Sequence, residues 1–185
     1  MSKKRSTRAP SFTFKNINLL NSKRSQTILS FGMIFSIILI VIFITFAFYA
    51  ISKFLSIQKS VEIGKFTNDF QSDVDKIWKG SQGSQAMEYN LPISIEKVCF
   101  IDYSSENSGT NVKIYNELRQ LHYENENMFF YPLGSGEGLD AKEIKNIDLA
   151  RITGGENPFC IENIKGKVRL TIKKNFGESL VTITN

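Results

Sequence analysis

Two cysteines and one histidine are the residues here best suited to covalent or metal chemistry. Cys99 stands in Val98-Cys99-Phe100 and Cys160 in Pro158-Phe159-Cys160, both apolar and strand-like. Both fall in the half expected outside, where an oxidising exterior favours pairing, so the expectation is a Cys99–Cys160 bridge, with two buried free thiols as the alternative. A bridge would close a loop of about 60 residues and stabilise the fold by up to about 4 kcal/mol in the chain-entropy account. Structural zinc takes four Cys or His ligands, and the chain holds three such residues in all. His122, between Leu121 and Tyr123, is the single histidine. A lone histidine is by default a surface or structural residue, and no spacing makes it the base of a Cys–His pair.

Other patterns give weaker chemistry. Gly134-Ser135-Gly136-Glu137-Gly138 has the look of a phosphate loop. It lacks the Gly-Lys-Ser/Thr ending and the helix start that such a loop needs. Residues 152–158, ITGGENP, are turn chemistry. Asp73 with Asp75, and Asp140 with Glu143, could be paired carboxylates, but a solvated helix face explains them as well. The expectation is a protein that is not an enzyme and needs no cofactor or metal.

The charge is uneven. Residues 1–24 hold seven Lys or Arg and no acid, while the remaining 16 basic residues face all 18 acidic ones. The folded part therefore has no basic excess of the kind a nucleic-acid-binding face needs. From Gln26 to Ser52 no residue is charged, and Phe31 to Ile51 is almost wholly apolar. About 20 apolar residues suffice for a helix to span a bilayer. A cleavable secretory signal has a shorter apolar core followed by an A-x-A site, and FAFYAISKF offers none. The basic flank keeps the N-terminus in the cytoplasm. The partner implied is membrane lipid, the location a cell membrane crossed once, with the C-terminal part outside.

Beyond the membrane segment, Ile63, Phe66, Phe70, Val74 and Ile77 recur at spacings of three and four. This is one apolar stripe on an amphipathic helix. It must pack on the chain's own C-terminal domain or on another copy or partner helix. Gly80, followed by SQGSQ, is the expected stop. The helix would run from about Thr27 to Lys79, roughly 80 Å at 1.5 Å per residue.

The fold class expected is α+β. The expected divisions are a basic tail or leader over 1–25, a transmembrane helix over 26–53, an amphipathic stalk over 54–80 and an extracytoplasmic domain over 81–185. Within that domain, residues 95–103 read as a buried strand, 111–124 as a helix and 127–133 as a short strand. Residues 167–174 alternate Val168, Leu170 and Ile172 with polar residues, a half-buried strand. NFGE then turns the chain into a final strand at 179–184, which closes a C-terminal hairpin.

The layout, with Lys23-Arg24-Ser25-Gln26 just before the apolar run, resembles a type IV pilin-like protein of the archaeal kind with a class III signal peptide. The resemblance implies cleavage between Ser25 and Gln26 and a helix from Ile28 onward that packs among copies in a filament. The fifth position of such a mature chain, Glu in many pilins, is Ser30 here. The expected function is thus a single-pass anchored surface protein with a structural or interaction role. A filament subunit and a membrane-tethered enzyme with an unrecognised site are the alternatives.

Overall fold

The computed structural model describes residues 31–121 and 125–185. Helix α1 runs from Phe31 to Lys79. The sheet is built from β1 (Gly83–Asn90), β2 (Lys97–Phe100), β3 (Met128–Tyr131), β4 (Ala141–Lys142), β5 (Phe159–Ile164), β6 (Lys167–Lys174) and β7 (Thr182–Thr184). Two more helices, α2 (Val112–Leu121) and α3 (Leu149–Ile152), sit in the connections. The chain divides into two compact units, residues 1–44 and 45–185, so that α1 begins in one and ends in the other. The sheet lies wholly in the second unit.

All the strand pairs are antiparallel, in the order β1-β6-β5-β2-β3-β4, with β7 also paired to β6. β1 runs along the full length of β6. The other edge of β6 is shared: β5 pairs with Val168 and Lys167, and β7 with Thr171, Ile172 and Lys173. The β5–β6 turn contains only Lys165 and Gly166, both at positive φ (56° and 83°). Two left-handed residues in succession match the right-handed twist of the strands they join. Glycine is the residue least strained at such an angle.

The two halves of the sheet are covered differently. In β2, Val98 and Phe100 join the core cluster that contains the α1 stripe, while Cys99, with Ile101 just past the strand, joins a second cluster with Ile114, Tyr115 and Leu118 of α2. β3 divides in the same way, Met128 and Phe130 to one side and Phe129 to the other. These strands are buried on both faces, which is why they read as unbroken apolar runs. In β6 only Val168, Leu170 and Ile172 are buried, and the alternate residues face outward. One covered face gives alternation.

The expected α+β class, with a long N-terminal apolar helix ahead of an antiparallel sheet, is what the fold shows. The expected strands at 95–103, 127–133 and 167–174 and the helix at 111–124 all contain observed elements. The final strand is shorter than expected: β7 spans Thr182–Thr184, because Val181 instead forms a parallel bridge with Ile147. β1 was not expected. It begins within SQGSQ, expected as the stop of the helix, and its Gly, Glu and Asn residues are poor strand formers.

Candidate functional site

α1 is the element that most distinguishes the molecule. Between Phe31 and Lys79 it contains no proline and only two glycines, Gly32 and Gly64. At its C-terminus the Gly80 N–H donates to the Ile77 carbonyl, and Lys174 Nζ donates to the carbonyls of Trp78 (2.6 Å) and Gly80 (3.0 Å). A cation there satisfies carbonyls the helix leaves open and complements its dipole.

Every residue from Phe31 to Leu55 is exposed, eighteen large apolar side chains among them. A soluble monomer rarely shows a contiguous apolar patch above roughly 300–600 Å². At about 1.5 kcal/mol or more per side chain, keeping this run in water would cost on the order of tens of kcal/mol. The helix is long and apolar enough to cross a membrane.

The stripe on the later part of α1 is filled by the chain's own sheet. Ile63, Phe66, Phe70 and Val74 are buried in the main core, and Ile77 packs against it. Phe66 stacks on Phe70 (5.8 Å between centroids) and meets Tyr89 and Phe130 edge-on. Phe70 lies 6.0 Å from Phe100. At the rim Tyr89 donates its hydroxyl to Asp73 Oδ2 at 2.9 Å. Burial, then that carboxylate, pushes the tyrosine well above its ordinary pKa.

Cys99 and Cys160 are bridged. They face each other directly across β2 and β5, with Cα atoms 4.0 Å apart, and join segments 61 residues apart. The bridge lies on the α2 side of the sheet, in the cluster with Ile101, Leu118 and Phe129. A second, polar tie lies close by. Asn157, buried, accepts from the Asp102 N–H and donates to the Asp102 carbonyl. Glu156 accepts from the backbone N–H and hydroxyl of Thr110 and from Asn111. The Thr110 hydroxyl first, then its N–H, holds Glu156 below the usual carboxylate range.

The two aspartates of the first carboxylate pair take different partners. Asp73 accepts from Tyr89 and Lys76, whereas Asp75 accepts from Gln71 and Asn146. Asp140 accepts from the Gly136 N–H at 2.8 Å. A Cβ on Gly136 would come within 2.9 Å of the Asp140 backbone, so the glycine-rich run is explained by close packing of its own loop. Among the described residues no three of His, Cys, Asp and Glu cluster as a metal site. Ser25, Gln26 and His122 lie outside the described residues. No family model, curated protein or solved structure matches this chain.

Proposed function

We propose that this chain is a single-pass membrane protein, its N-terminal tail cytoplasmic and its α+β domain outside, acting through non-catalytic structural or binding contacts. The observation that carries the reading is the fully exposed apolar run from Phe31 to Leu55, preceded by seven basic residues and no acidic one. Lipid is the solvent in which such a surface is stable, and the basic flank sets its direction. The bridged cysteines support an oxidising location for the domain. In the membrane fraction, the protein should stay in the pellet after alkaline carbonate extraction. Release into the supernatant would mean that Phe31–Leu55 is covered by protein instead.

A type IV pilin-like subunit is the second reading. It is favoured by the continuity of α1, whose apolar start and core-packed end belong to one unbroken helix, and by Lys23-Arg24-Ser25-Gln26 ahead of it. A leader with seven positive charges cannot enter an apolar filament core, where unpaired ions are very costly. The intact mass of the extracted protein separates the two. A chain beginning at Gln26 supports the subunit, and one retaining residues 1–25 supports the plain anchor.

A further inference from the structure

Three loops of the domain converge on one short stretch of α1, just after its apolar run ends. Ser56 Oγ donates to Glu137 Oε2 at 2.9 Å, and Lys59 Nζ lies 3.5 Å from Glu137 Oε1. These contacts hold the 134–138 loop against the helix. On another side, Leu55, Lys59, Pro92, Ile93 and Lys165 line one open groove. The 91–94 loop and the β5–β6 turn that border it are tied together by the Leu91 N–H, which donates to the Gly166 carbonyl at 3.0 Å.

Two large apolar side chains at this end are uncovered: Ile93 is 79% exposed and Ile164 62%. Singly, an exposed isoleucine needs no explanation. Here the level on the helix decides. Lys59 is five residues past Phe54, about 7.5 Å along the axis. The headgroup layer on each side of the hydrocarbon core is roughly 5–7.5 Å deep. The loops that touch Ser56, about 3 Å past Phe54, and Lys59 therefore reach from within the headgroup layer to its outer edge. Lys53, Lys59 and Lys165 can run their alkyl stems along apolar surface with their charges at the phosphates.

We infer that this end of the domain is a lipid-contacting collar: Ile93 and Ile164 enter the headgroup layer of the same bilayer that α1 crosses, flanked by Lys59 and Lys165. The inference rests on the anchored reading above. The occupant is lipid rather than a protein partner, because Ile93 shares a groove with Leu55, at the end of the exposed apolar run, and with the cations Lys59 and Lys165, and Ile164 adjoins Lys165 in the same turn.

The chain's one tryptophan makes the test simple. Trp78 is 24 residues beyond Phe54, about 36 Å up the helix, and its Nε1 is held by the Ser179 carbonyl. Full-length protein is reconstituted in phosphatidylcholine–phosphatidylglycerol vesicles, with and without brominated acyl chains, and vesicles are recovered by flotation. In the unaltered protein, Trp78 emission should be the same in both lipids. Ile93→Trp and Ile164→Trp should each add a blue-shifted emission that brominated lipid largely removes, whereas Phe176→Trp, at an 82% exposed turn residue, should add emission that it leaves unchanged. Protein that floats while both added indoles escape quenching overturns the collar and leaves the anchor intact. A blue shift that depends on protein density and not on bromine would show a neighbouring copy on this face, and also overturns it. Protein that does not float overturns both readings.

Discussion

Along the single helix α1, residues 31–55 and residues 63–77 have opposite surroundings. The earlier stretch is apolar all round and wholly exposed, and the later one is apolar on a single stripe that the sheet buries. One backbone geometry thus carries two kinds of surface. A helix apolar on every side suits a uniform apolar medium, and a helix apolar on one side suits a protein core facing water. The lesson is that helix content says little here, while the angular spread of apolar residues says which surroundings each stretch was selected for.

The same substitution in the two stretches should break different things. Phe70→Asp places a charge in a fully buried aromatic cluster. It should cost the domain about 4 kcal/mol or more, seen as a large loss of thermal stability in detergent with the protein still in the membrane pellet. Phe43→Asp should leave the domain's unfolding unchanged but disfavour insertion by about 3 kcal/mol, measured as a smaller membrane-integrated fraction. If both variants destabilise the domain equally, the two stretches are not distinct environments.

Next in size is the bridge. Cys99→Ser and Cys160→Ser remove the same cross-link and should lower stability by similar amounts, about 2–4 kcal/mol. Mass spectrometry of unreduced peptides should show the linked pair in the native protein. Quantitative alkylation of both thiols without reductant would contradict the bridge.

Acid should separate the stretches more gently. Glu178, held by the Asn175 N–H first and then by its side chain and Arg151, is lowered to about 2. Thr110 lowers Glu156, and Lys167 followed by Arg169 lowers Glu88. Each folded value lies below the unfolded one of about 4. Their contribution is therefore full above the unfolded value and is lost as pH falls through the folded ones. Domain stability should be level near neutrality and decline below about pH 4. Membrane retention should stay constant over that range, since residues 31–55 contain no carboxylate. Ser72→Asp, on the exposed face of the later stretch, should change stability by no more than about 0.5 kcal/mol.

Much of this organisation was legible in the sequence because burial imposes period. The stripe at Ile63, Phe66, Phe70 and Val74 and the alternation in β6 mark one-sided burial, and the runs Val98–Phe100 and Met128–Tyr131 mark two-sided burial. β1 was not legible. It is an edge strand that directs only Met87 and Tyr89 toward the core, and its pairing with β6 supplies what its own residues do not. The two-residue turn at Lys165-Gly166 was equally hidden, since its first residue is not one of the usual left-handed formers. The cysteines were visible as a pair, but their direct opposition on β2 and β5 depends on a register set by residues far apart in the chain. The collar was least visible of all: Lys59, Ile93 and Lys165 are far apart in the chain and line one groove only in the fold.

The topology of the anchored domain is the central claim, and limited proteolysis of intact cells or spheroplasts tests it most directly. With tags on the N-terminal tail and the C-terminus, external protease should remove the chain beyond about residue 55, where the exposed apolar run ends, and leave the tail tag protected until the membrane is opened. Loss of the tail tag with the C-terminal domain protected would contradict the account.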